Sequence, residues 1–128
     1  MAKVLVVEDD FDARALIKSI LELSGFQVVL AADGIEGIEQ THQETPDLIV
    51  TDLAMPRLDG IGMIHALRDT PRFKHTPILA ITSFGMERAM EAIRAGANRA
   101  LARPVQNHLL LVFVFDLLRP VSQLYYRD

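Results

Sequence analysis

The sequence has no cysteine, which removes disulfide scaffolds, thiolate nucleophiles, CxxC redox chemistry and Cys-ligated zinc in one step. It also lacks a basic excess. Its 13 Lys and Arg stand against 17 Asp and Glu, and the net charge of -4 is opposite in sign to that of a protein that grips phosphate backbones. Direct nucleic-acid binding is therefore not expected. The apolar stretch nearest the amino terminus, Val4 to Val7, stops at three acids. It is too short for a signal-peptide core and far too short for a membrane span, so no span and a cytoplasmic location are expected.

What is present is a chain of 128 residues, 50% of them apolar and 23% charged. That length suits one domain, and the apolar fraction suffices to bury about two thirds of the unfolded surface. Short β-branched runs alternate with longer helical patterns. Strands are predicted at Lys3 to Val7, Gln27 to Ala31, Asp47 to Thr51, Ile78 to Thr82 and, weakly, Arg99 to Ala102. Helices are predicted from Asp12 to Ser24, from an Asp33 cap to Glu44, after Gly60 to Arg68, from Met86 to Ala95, and from Val105 onward. This alternation predicts an α/β, doubly wound, five-stranded parallel sheet with helices on both faces, because parallel neighbours need right-handed crossovers and helices supply them.

Ligands of such sheets collect at the carboxyl ends of the strands. There the first strand delivers Glu8-Asp9-Asp10, the third Asp52, the fourth Thr82-Ser83 and the fifth Arg103-Pro104. Crowded carboxylates repel and raise each other's pKa unless a counter-charge is supplied, and a hard divalent cation such as Mg2+ is the natural one. A carboxylate beside Mg2+ can attack a phosphoryl group, and Asp52 is placed for that. Thr82 and Arg103 supply the hydroxyl and the fixed cation that hold the remaining oxygens of the resulting acyl phosphate.

Val4 through Asp10, Asp47 through Gly60, Ile81-Thr82-Ser83, Ala95-Gly96-Ala97 and Arg103-Pro104 together resemble the response-regulator receiver domain, similar to single-domain chemotaxis and sporulation regulators. The resemblance implies a flavodoxin-like strand order 2-1-3-4-5, with residues 1–120 forming the receiver and 121–128 a short tail too small to be an output domain. It implies that Asp52 is the phosphorylated residue and that Mg2+ is held by Asp9 directly, by Glu8 largely through water, and by the Ala54 backbone carbonyl. It also implies a Thr82 that moves toward the phosphoryl group and a cis bond before Pro104. The expected partners are a sensor histidine kinase or a histidine phosphotransfer protein, and a downstream protein target. Such a protein is a phosphoacceptor that assists its own chemistry, not an enzyme.

Two positions depart from the family. Arg103 stands where lysine is usual, and its wider, planar guanidinium either serves as a substitute clamp or pairs with Asp52 and hinders Mg2+ or phosphodonor entry. Lys74 is no replacement, since it precedes the fourth strand at the opposite rim. Ala100 stands where a switching aromatic is usual, and alanine has no rotamer to switch. The run Leu109 to Phe115 is apolar at all seven positions and predicts either an exposed face for a homodimer or partner, or a buried strand or distorted helix. If Arg103 and Ala100 have abandoned the switch, the alternative is a degenerate receiver that binds its partner independently of phosphorylation.

Plainer readings remain for other residues. Glu8, Asp9 and Asp10 also suit helix capping, Asp59-Gly60 suits a turn, and His42, His65, His75 and His108 lack metal-ligand spacing. Phe84 is expected to shield the acyl phosphate from water. A flavodoxin-like cofactor protein would need a phosphate-cradling loop where Glu8-Asp9-Asp10 stands. An aspartate-nucleophile phosphatase would need a second acid at the position of Ala54.

Overall fold

A run such as Ile78-Leu79-Ala80-Ile81 has no polar face, and it is satisfied only where both sides of a strand are covered. In the computed structural model, which describes residues 1–83 and 85–119, the chain meets that demand. Strands β1 (Lys3–Val7), β2 (Gln27–Ala31), β3 (Leu48–Asp52), β4 (Ile78–Thr82) and β5 (Arg99–Ala102) form one parallel sheet in the order β2-β1-β3-β4-β5. Helices α1 (Phe11–Leu23), α2 (Gly34–Glu44), α3 (Gly60–Arg68), α4 (Gly85–Ala95) and α5 (Asn107–Leu118) make the crossovers. The doubly wound, flavodoxin-like architecture is as the sequence predicts.

Alternation along the central strands splits the interior in two. Val4, Val6, Leu48, Val50, Leu79 and Ile81 face α1 and α5 and pack with Ile17, Leu21, Leu110 and Val114. Leu5, Val7, Ile49, Ile78 and Ala80 face the other way, onto Ile61, Ile64 and Leu67 of α3 and Ala92 and Ala95 of α4. Side chains at successive positions point to opposite faces, so each of these strands serves both cores.

Among the described residues, three helix starts carry an aspartate cap. Asp10 Oδ2 accepts from Ala13 N at 2.8 Å, Asp33 Oδ1 from Glu36 N at 2.9 Å, and Asp59 Oδ1 from Gly62 N at 2.8 Å.

Several boundaries differ from the sequence reading. β3 runs one residue later than expected. Asp47 stays outside it because its carboxylate accepts from Lys3 N at 2.7 Å, while Asp52 joins the ladder opposite Ile81. α1 and α4 each begin one residue earlier, at Phe11 and Gly85. The last element is an α-helix, which removes the strand alternative, and it starts at Asn107 because Gln106 is still extended (φ -79°, ψ 136°). The connection after α3 contains a 3-10 turn, Pro71–Phe73, that buries Phe73. Among the described residues no helix is long and apolar enough to cross a membrane. The expectations for Phe84 and for the segment 121–128 fall outside the described residues.

Candidate functional site

Parallel strands end together, so their last residues share one rim. Val7 pairs with Thr51 across β1 and β3, and the next residue on each chain is therefore an acid beside an acid: Glu8 and Asp52. Asp9 completes the group. Ligand-capable oxygens of Glu8, Asp9 and Asp52 all lie within 4.8 Å of one another. Asp10, the third acid of the run, turns away to cap α1. The capping explanation thus holds for one of the three acids, and the clustering explanation for the other two.

Glu8 is buried, Asp52 half-buried and Asp9 exposed. Burial, reinforced by the neighbouring charge of Asp52, pushes the Glu8 carboxyl up to about 7, against the opposing hydrogen bonds from Arg103 and Asp10 N. Arg103 reaches into the same space. Its Nη2 donates to Glu8 Oε1 and lies 3.6 Å from Asp52 Oδ1. Burial works against the guanidinium charge, but the two carboxylates outweigh it and hold the Arg103 pKa above its ordinary value. The guanidinium is thus shared between Glu8 and Asp52, where the sequence left open a substitute clamp or a pairing with Asp52.

The donor set suits a hard cation. Mg2+ takes oxygen ligands at about 2.1 Å, so the ligands of one octahedron lie at most ~4.2 Å apart, and three carboxylates already clustered within 4.8 Å need little adjustment to share one ion.

The phosphoacceptor candidate is held by its backbone. Leu53 N donates to Asp52 Oδ1 at 2.8 Å, Thr51 Oγ1 donates to the Asp52 carbonyl at 2.8 Å, and Gly60 N donates to the Leu53 carbonyl at 2.9 Å. α3 starts so close to this segment that a Cβ on Gly60 would collide with the Asp52 carbonyl oxygen and come within 2.8 Å of Leu53 Cα. From the sequence, Asp59-Gly60 reads only as a turn. It is also the surface on which Asp52 rests.

The intervening loop is pinned at its tip. Arg57 adopts φ 65°, unusual for a residue with a side chain, and its Nε and Nη2 donate to Asp33 at 2.8 and 3.1 Å. Gly34 N donates to the Leu58 carbonyl at 3.0 Å, and a Cβ on Gly34 would clash with that same carbonyl. These contacts join positions more than twenty residues apart, and no local motif announces them.

Thr82 ends β4 almost fully buried, one residue beyond the partner of Asp52. Its carbonyl accepts from Arg103 N at 2.9 Å, which ties the start of the β5–α5 loop to the same rim. The Arg103-Pro104 peptide bond is cis. Ala54 is exposed in the loop two residues past Asp52, and Ala100 is half-buried against the α3 and α4 core. Lys74 and all four histidines are exposed, and no histidine joins the acidic cluster.

Comparison with known proteins agrees with this geometry. The response regulator receiver domain family matches residues 4–114. The polar-differentiation response regulator DivK of Brucella anthropi is 30% identical over 103 residues, which span 80% of this chain and 84% of DivK. Chemotaxis response regulator CheY4 of Vibrio cholerae superposes with a TM-score of 0.87 at 33% identity, covering 92% of this chain and 99% of CheY4. The receiver domain of Francisella response regulator 1452 does so with a TM-score of 0.86 at 30% identity, over 92% of this chain and 97% of that one. With its sheet order, its acidic rim and these matches in agreement, the chain belongs to the response regulator receiver domain family of two-component signalling.

Proposed function

We propose that residues 1–120 form a cytoplasmic receiver that takes a phosphoryl group onto Asp52 from the phosphohistidine of a sensor histidine kinase or a phosphotransfer protein, and then signals by protein contact. Receiver domains are signalling domains, not classical enzymes, and they bind Mg2+ at an acidic pocket. The observation that carries the proposal is the convergence of Glu8, Asp9 and Asp52.

In this reading a carboxylate oxygen of Asp52 attacks phosphorus, the P–N bond to the donor imidazole breaks, and its electron pair stays on the imidazole nitrogen, which then takes a proton from solvent. Mg2+, when bound, would supply neutralisation of the charge on acceptor and phosphoryl oxygens. Asp9, Glu8 and the Ala54 carbonyl would hold that ion together with Asp52. Thr82 donates its hydroxyl to one phosphoryl oxygen, and Arg103 binds another. Ala100 leaves the usual aromatic readout without a side chain. Output therefore passes through loop movement or through the face of α5, where Leu109, Val112 and Phe115 are exposed and offer a surface for a second copy or a target.

The missing aromatic at Ala100 and the hold of Arg103 on Glu8 favour one second reading, a degenerate receiver whose α5 face binds a partner constitutively. Incubation with acetyl phosphate and Mg2+ separates the two. A gain of one phosphoryl mass by the wild type and none by Asp52→Asn supports phosphoacceptance; no adduct on the wild type supports the degenerate reading.

A further inference from the structure

A guanidinium keeps its charge in any protein setting and is more weakly hydrated than an ammonium, so it suits a place among buried carboxylates. Arg103 brings one nitrogen, Nη2, to both Glu8 and Asp52: it donates to Glu8 Oε1 and lies 3.6 Å from Asp52 Oδ1, on two of the three acids whose oxygens cluster within 4.8 Å. The acid it grips most closely, Glu8, is the most buried of the three and has the least access to water as an alternative partner. A protein cation thus already supplies the counter-charge that the clustered acids require.

We propose that Arg103 is a built-in counter-ion of this pocket, and that its guanidinium must leave the gap between Glu8 and Asp52 before a divalent cation can be held there. The inference rests on the assignment of the three acids as the Mg2+ site. Retaining both cations in the gap would set like charges a few ångströms apart among side chains shielded from solvent, where such repulsion is strong.

The structure also provides a place for the displaced group. The Arg103 side chain is 29% exposed. It borders an apolar groove of about 520 Å³ between α1 and α5, where Ala13, Ile17 and Val105 offer a surface for its stem. A long basic side chain lies well along such a surface with its head in water. From there the guanidinium remains close enough to return to Asp52 once that residue carries added negative charge. The same residue then acts twice: as a lock on the metal site and as a clamp on the phosphorylated Asp52.

Two measurements test this. Calorimetric titration with MgCl2 compares the wild type with Arg103→Met, which keeps a long apolar stem but loses the charge, and with Arg103→Lys, which keeps the charge. The expected result is binding about tenfold tighter in Arg103→Met, equivalent to ~1.4 kcal/mol, with Arg103→Lys no tighter than Arg103→Met. In parallel, the Arg103 Nε–H resonance of the wild type should shift along the same Mg2+ isotherm. Equal affinity of wild type and Arg103→Met, or a resonance that stays put while Mg2+ is taken up, overturns the lock and leaves the metal site intact. Uptake by none of the proteins overturns the metal site itself, and the lock with it.

Discussion

Gly60 and Asp33 are not acids of the pocket, yet each fixes the segment that presents Asp52. A methyl group at residue 60 has to displace the Asp52 carbonyl or the Leu53 backbone, and neither is a flexible side-chain tip. Gly60→Ala is therefore expected to lower stability by ~1–3 kcal/mol, read as a shift in the urea midpoint, and to slow phosphorylation of Asp52 in the acetyl phosphate assay. The hydrogen bond from Arg57, aided by the Glu36 backbone N–H, holds the Asp33 carboxyl below its ordinary value of 3.8. The sign follows from linkage. A depressed carboxyl stabilises the fold above its unfolded pKa, and that contribution is lost as pH falls through the folded value. Asp33→Asn keeps an oxygen for the helix cap but loses the charge, so the variant should be less stable than wild type near neutrality. Urea titrations at pH 7 and well below pH 3.8 should show the gap closing on acidification; a gap of constant size would refute the ion-pair account.

The last helix shows how one element serves two purposes. Leu110 and Val114 are buried against the sheet, and Arg99 lies 4.5 Å above the Phe113 ring. The opposite side carries Leu109, Val112 and Phe115, which are exposed, the Phe115 ring lying tilted to that of Phe26 at 5.2 Å between centroids. Truncation of the inner face by Leu110→Ala should cost ~2–5 kcal/mol. Val112→Lys on the outer face should change stability by less than ~0.5 kcal/mol while abolishing self-association in sedimentation equilibrium. A wild type that stays monomeric at every concentration would rule out pairing of two copies through α5. The apolar run could not be resolved by periodicity because nearly every position in it is apolar. Only the placement of its neighbours decides which residues face in.

For the whole molecule, the two cores share the same strands, so binding at the rim should be felt in global unfolding. Mg2+ held by the native pocket and absent from the unfolded chain stabilises by about 2.7 kcal/mol at a hundredfold excess over its dissociation constant. That gain should appear in the urea midpoint of the wild type and vanish in Asp9→Asn. An equal gain in both proteins would point to ion binding elsewhere. The amino-acid sequence by itself determined the alternation of strands and helices, the burial of runs such as Ile78 to Ile81, and the set of groups brought to one rim, because hydrophobic periodicity and strand polarity are local properties that every parallel sheet converts into position. It could not determine that Arg103 grips Glu8 as well as Asp52, that Gly60 supports Asp52, or that Arg57 reaches back to Asp33. Those contacts join residues 95, 8 and 24 positions apart, and they depend on side-chain directions and close approaches that exist only after the chain has packed.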